Sequence, residues 1–109
     1  MKHLWIDDFR EPPDSSWLWA KSSREALAMW EEHRDIGYIA FDYDLGGSDT
    51  SLPVLLKIEA EAHLGKRKPP RWNAHTANPV GRVHIETIMS KAMGYWAEHE
   101  ENEIRRNMR

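Results

Sequence analysis

Residues 38–42, Tyr-Ile-Ala-Phe-Asp, constrain the fold more than any other stretch of this chain. Apolar side chains fall on both faces of the segment, which suits a central strand of a parallel sheet, covered on both sides. Parallel neighbours need long crossovers, usually helices, and the flanking sequence supplies them. Upstream, KHLWI (2–6) is a short apolar run ended by Asp7-Asp8 and reads as a first strand. SWLWA (16–20) reads as a second, with Trp17 and Trp19 on one face and Leu18 and Ala20 on the other. Between them Pro12-Pro13 excludes both helix interior and central strand, so DDFREPPD is a loop. Ser22-x-x-Glu25 is a capping box that opens the helix SREALAMWEEHR, with Gly37 closing that unit. Beyond the loop GGSDTS, a helix from about Pro53 to His63 stops at Gly65. The basic connector GKRKPPR leads to a fourth strand, RWNAHT (71–76). Asn78 then caps a last helix with Pro79 in its first turn and an apolar stripe of Ile85, Ile88, Met89, Ala92 and Trp96.

Strands alternating with helices predict a parallel α/β sheet. At 109 residues the chain fits one domain, 1–109, with the polar stretch at about 98–109 as a solvated, frayed tail. There are no cysteines, which excludes a thiolate metal site and a cysteine nucleophile. No apolar run reaches the ~18–20 residues of a membrane span. MKHLWIDDFR places two acids where a signal peptide needs an apolar stretch, so the expected location is cytoplasmic. The net charge of −3 excludes a global duplex nucleic-acid footprint. The halves differ: residues 1–50 carry 5 Lys/Arg against 11 Asp/Glu, and residues 51–109 carry 10 against 7.

Ligands of open parallel sheets sit outside the carboxyl ends of the strands. Asp7-Asp8 follow the first strand, Asp42 and Asp44 the third, and His75, Thr76 and Asn78 the fourth. Three polar clusters therefore converge on one edge. Carboxylates held together repel unless a cation or bound donors offset them, and oxygen-only ligands suit Mg²⁺ or another hard divalent cation. Asp7, Asp8, Asp42 and Asp44 are the candidate ligands; the alternative is that Asp7 or Asp8 caps a turn while Asp44 and Asp49 face water. The fourth-strand cluster points to phosphate. A helix start offers N–H groups and a positive dipole end, His75 can move a proton, Thr76 brings a hydroxyl, and Arg82 can bridge two phosphate oxygens. Asn78 serves either phosphate or the helix cap. The remaining histidines, His3, His33, His63, His84 and His99, read as surface or packing residues. Trp5, Trp30 and Trp96 read as core, and Lys66, Arg67, Lys68 and Arg71 as a solvated basic loop at the opposite sheet end.

The arrangement resembles the response-regulator receiver domain, with Asp7-Asp8, Asp42 and Thr76 at the family's acidic pair, third-strand aspartate and fourth-strand Ser/Thr. The set LWIDDFREPP, FDYDLGGSDTS and HTANPVGR is closer to the small family of cyclic-phosphate processing receivers. That resemblance implies a flavodoxin-like sheet of about four strands in the order 2-1-3-4, truncated relative to a full receiver: no fifth strand with its lysine follows Thr76. It also implies handling of a cyclic phosphate on an RNA end or a nucleotide. In that reading His75, Asp42 and Asp8 are catalytic, and Tyr43, Thr76, Asn78, Arg82 and Arg10 hold substrate. Tyr43 stands where the family pattern favours histidine. The alternatives are a phosphoacceptor receiver with Asp42 as nucleophile, and a non-catalytic protein-binding module on the same fold.

One geometric expectation follows from the 2-1-3-4 order. Right-handed crossovers put the second-to-third and third-to-fourth helices on one face of the sheet. The Asp7–Ser15 connection is too short to lay a helix over the other. The C-terminal helix is expected to cover part of that bare face, and Trp17 or Trp19 to pack against a second copy as a homodimer.

Overall fold

The computed structural model describes residues 1–108. Its elements run β1 (Lys2–Ile6), β2 (Leu18–Ala20), α1 (Ser23–Glu32), β3 (Ile36–Phe41), α2 (Leu52–His63), β4 (Arg71–Ala74) and α3 (Pro79–Asn107). The four strands form one parallel sheet in the order β2-β1-β3-β4, as expected. The register aligns Ile6 with Ala20 and Phe41, and Phe41 with Ala74. All four carboxyl ends therefore finish at one level, and the segments that follow them meet there.

Alternation along the strands decides the core. Leu4 and Ile6 of β1, Ile39 and Phe41 of β3 and Ala20 of β2 face the helices and are buried with Trp30, Leu55, Ile58, Ile85 and Met89. Burying a side chain of this size stabilises the fold by about 1.5–3 kcal/mol, so these positions supply much of the driving force. Ser22 caps α1 by accepting from the Glu25 N–H at 3.1 Å, while the Glu25 carboxylate reaches back to the Lys21 N–H. Gly37 does not close that helix: His33 is the C-cap, and Gly37 lies within β3, where the Met1 side chain fills the space a Cβ would need. Gly65, at φ +68, does stop α2, a conformation that glycine adopts without steric cost.

Three further expectations are corrected. The C-terminal helix does not cross to the bare face. Asn78 caps it immediately beyond β4, and Ile85, Met89 and Ala92 pack with Val54, Leu55, Ile58 and Ala62 of α2, so all three helices lie on one side. Residues 98–107 are exposed but helical, not frayed, with Arg105 paired to Glu101 at 2.6 Å one turn away. Arg67 is not part of a solvated patch. It is buried over the Trp30 ring, 3.3 Å from its centroid, and donates to the carbonyls of Trp30 and His33 at the end of α1. Burial draws its guanidinium below its ordinary pKa, and the nearby Arg34 adds to this.

The opposite face of the sheet carries no helix. His3 and Trp5 of β1 and Tyr38 of β3 lie there half-buried, with Trp17 from the loop before β2 edge-on against all three. Trp5 is therefore not a core residue. Its neighbours Leu4 and Ile6 take the helix side, and a strand's alternation leaves Trp5 on the other.

Candidate functional site at the carboxyl edge of the sheet

Asp7 is the centre of the site and is fully buried. It follows β1, where the loop must turn away before Pro12. Its Oδ1 accepts the N–H groups of Phe9 and Arg10 at 2.9 and 2.8 Å, which folds that turn. Its Oδ2 lies 3.1 Å from Arg10 Nε and 3.1 Å from His75 Nε2. Burial raises the carboxyl, but the two N–H groups, the Arg10 guanidinium and His75 outweigh it, and Asp7 sits below the ordinary carboxylate value.

Arg10 ties the three strand ends together. Besides Asp7 it donates from Nη2 to the His75 carbonyl at 2.8 Å and lies 3.7 Å from the Asp42 carboxylate. Asp42 follows β3, accepts its neighbour's N–H (Tyr43) at 2.8 Å, and is joined through its carbonyl to the buried Ser51 hydroxyl. Burial holds the Asp42 carboxyl above its ordinary value; the Thr76 hydroxyl opposes this and the charge of Asp7 adds to it. Oxygens of Asp7, Asp8 and Asp42 lie within 4.8 Å of one another. Asp8 is exposed and its side chain accepts no hydrogen bond among the described residues.

His75 stacks on Trp5, with ring centroids 4.2 Å apart and planes 8° from parallel. Burial pushes its pKa down, more strongly than Asp7 pulls it up, and so favours the neutral ring. A carboxylate only accepts, so the 3.1 Å contact places the ring proton on Nε2. Nδ1 then carries a lone pair, buried and without a partner.

The other expected residues divide. Thr76 is buried beside Asp42 and accepts the Asn78 N–H at 3.2 Å. Asn78 proves to be the helix cap: its Oδ1 accepts from Val80 and Gly81, so those two N–H groups are already paired. Its Nδ2 donates to Asp44 at 3.0 Å, which holds Asp44 apart from the three clustered acids. Arg82 does not face the acids with a free fork. It clasps the carbonyls of Ala74 and Thr76, both at 3.0 Å. Tyr43 points under the first turn of α3 against Gly81, with its hydroxyl 3.0 Å from His84 Nδ1, and so does not reach the Asp7–His75 pair. Asp49, expected to face water, instead accepts from the Ser23 N–H and hydroxyl at 2.9 and 2.5 Å, and Ser23 holds it below the ordinary carboxylate value.

Sequence reasoning missed the supports. Trp5 Nε1 donates to the Arg10 carbonyl and Trp19 Nε1 to the Asp7 carbonyl, both at 2.8 Å, pinning the loop that carries the acids. An indole N–H seeks a partner when buried, so two tryptophans flanking an acidic loop were the available signal. His84, read as a surface or packing residue, is exposed and is the partner of the Tyr43 hydroxyl.

The model of a family described as the cyclic-phosphate processing receiver domain matches residues 2–91, which takes in all four strands, α1, α2 and the first turns of α3. No match was found among curated proteins or solved structures. The chain belongs to the cyclic-phosphate processing receiver family.

Proposed function

We propose that this receiver-type domain binds a cyclic phosphate, on an RNA end or a nucleotide, at the Asp7–Asp42–His75 edge, and that His75 supplies the proton transfer of its hydrolysis. The observation that carries this reading is the Asp7–His75 pair. A carboxylate that holds one ring nitrogen of a neutral histidine leaves the other as a base, the relation used in acid–base catalysis. Nδ1 is buried, so substrate has to displace whatever covers it before a proton moves through it. Arg10 is the cation nearest the acids, with one nitrogen 3.7 Å from Asp42, and the substrate phosphate competes for it. The Thr76 hydroxyl, already directed at Asp42, would be shared with the phosphate.

Three carboxylates with hard oxygen donors fit a divalent cation such as Mg²⁺. Asp8 and Asp42 have oxygens available for it, whereas both oxygens of Asp7 already accept from the chain. Such a cation, when bound, supplies positive charge that offsets the acids and polarises a phosphoryl oxygen. Asp8 and Asp42 would hold it, and Asp7 would join only by releasing Arg10 or His75.

The test is a panel of 2′,3′-cyclic and 3′,5′-cyclic nucleotides and cyclic-ended RNA, assayed for binding and turnover with and without Mg²⁺. Loss of turnover in His75→Ala and of binding in Asp42→Ala supports the proposal. Neither binding nor turnover by the unaltered protein under any condition contradicts it.

A second reading is favoured by the position of Asp42 at the end of β3 beside the Thr76 hydroxyl: phosphoacceptor chemistry on the Asp42 carboxylate. Incubation with acetyl phosphate and Mg²⁺ then adds phosphate mass at Asp42; an unchanged mass argues against it.

A further inference from the structure

The face of the sheet without helices is continuous with the candidate site through one contact, the Trp5 ring stacked on His75. From there it runs across His3, Trp17 and Tyr38, which with Arg71 and Asn73 line a groove of about 340 Å³. That volume is at the small end of ligand sites, about 300–1,000 Å³. The ring pairs lie 4.9–6.0 Å apart at 55–81°, so the rings brace one another and each keeps part of its surface in solvent. At the far end Arg71 also lines a second hollow, with Arg34 and Lys68. Its one acid, Asp35, is paired with Lys2 at 3.5 Å.

The groove thus has a polarity: a candidate phosphate-ester site at the carboxyl edge, aromatic rings between, and cations at the amino edge. β1 spans about 17 Å at roughly 3.3 Å per residue. A second copy of the chain suits this face poorly. None of the strongly exposed large apolar side chains lines the aromatic groove, whose Arg71 and Asn73 end is polar. Single-stranded nucleic acid suits it well, since unstacked bases pack on aromatic rings without sequence preference while cations follow the backbone. Sheets that read RNA place aromatics on their two central strands and stack about two or three bases there. Here His3 and Trp5 stand on β1 and Tyr38 on β3, the two central strands.

We propose that this face is a stacking platform for single-stranded RNA, with the 3′-terminal cyclic phosphate at His75, the last bases on Trp5, His3, Trp17 and Tyr38, and upstream phosphates at Arg71, Lys68 and Arg34. The placement of the 3′ end rests on the function proposed above; the platform itself does not.

The experiment compares hexauridylate ending in a 2′,3′-cyclic phosphate, hexauridylate ending in a 3′-hydroxyl, and 2′,3′-cyclic UMP. Binding is read from tryptophan quenching and calorimetry, and folding of each variant from its thermal transition. The cyclic hexamer is expected to bind at least about tenfold more tightly than the mononucleotide. Trp17→Ala removes about tenfold of that advantage. Arg71→Ala lowers the salt slope of log affinity by about 0.7, one single-strand phosphate contact. Cyclic UMP, whose single base reaches only Trp5 beside His75, loses far less affinity than the hexamer in either variant. Trp17→Phe, which keeps a ring, restores most of the hexamer binding if Trp17→Ala folds poorly. Equal affinity for hexamer and mononucleotide overturns the proposal, as does a hexamer advantage that survives both substitutions. A species near twice the chain mass, abolished by Trp17→Ala and without RNA affinity, overturns it in favour of a second copy. Binding of the 3′-hydroxyl hexamer that depends on Trp17 and Arg71, with no affinity for any cyclic phosphate, upholds the platform and rejects the cyclic-phosphate reading alone.

Discussion

Gly81 and Gly94 are both helical residues of α3, yet replacing each by alanine should move stability in opposite directions. A Cβ at position 81 would stand 2.6 Å from Tyr43 Cβ and Cγ and 2.7 Å from Cδ2. Carbon atoms in contact sit about 3.5–4.0 Å apart, so the overlap is on the order of 1 Å. Tyr43 cannot yield easily. It is 8% exposed, its carbonyl accepts the Ser51 N–H at 2.9 Å, and its hydroxyl is 3.0 Å from His84. The blocked atoms include its Cβ, which no rotamer change removes. Overpacking of this kind costs about 1–3 kcal/mol, and the helix preference of alanine over glycine returns about 1 kcal/mol. Gly81→Ala should therefore lose up to about 2 kcal/mol net. At position 94 nothing lies within 4 Å of the added methyl, so Gly94→Ala should gain about 0.8–1 kcal/mol. Thermal unfolding followed by circular dichroism reads both, at about 4–8 °C per kcal/mol for domains near this size. The midpoint should fall for Gly81→Ala and rise by several degrees for Gly94→Ala. Equal stabilisation by both would show that α3 is not seated on Tyr43, and the placement of the 75–78 turn that leads into it would fall with that contact.

Two further outcomes concern the scaffold. Ser23 holds Asp49 below its ordinary pKa, so the ionised form stabilises the fold above the unfolded carboxylate value near pH 4. Asp49→Asn should lose on the order of 1 kcal/mol at pH 7, and the difference from the unaltered chain should vanish as pH falls through the folded pKa; a difference that persists unchanged at pH 2–3 in denaturant titrations refutes the linkage. Arg67→Met keeps bulk over Trp30 but loses both carbonyl contacts and should cost about 2–4 kcal/mol in urea titration, with Arg67→Lys a poor substitute because a point charge cannot span two carbonyls; a cost under about 0.5 kcal/mol contradicts the buried contact.

The layout of the sheet was legible because each helix and strand carries its own local signal. The run at 38–42, the capping box at Ser22 and the Asn78-Pro79 start all speak through neighbours a few residues away. What failed to show was set by contacts distant in sequence. Arg67 meets Trp30 across 37 residues, and nothing in GKRKPPR distinguishes it from its solvated neighbours. Trp5 sits in an apolar run where either set of alternate residues could have been the core side; its stack on His75 joins positions 70 apart. The convergence of Asp7, Asp8, Asp42 and His75 was legible from topology alone, since parallel strands deliver their carboxyl ends to one edge. The direction of each side chain was not. Tyr43 and Arg82 were expected at the phosphate, but Tyr43 is drawn under α3 and Arg82 satisfies two carbonyls of the turn before it.

The central claim, that the Asp7–Asp42–His75 edge receives a cyclic phosphate, is tested most directly by titrating ¹⁵N-labelled protein with 2′,3′-cyclic nucleotide in the presence of Mg²⁺. Saturable amide shifts are predicted at residues 8–10, 42–43 and 75–78, with the His75 ring resonances moving as Nδ1 gains a partner, and with none of these changes in Asp42→Ala. Saturable shifts confined to other residues, or no shift at millimolar nucleotide, would contradict it.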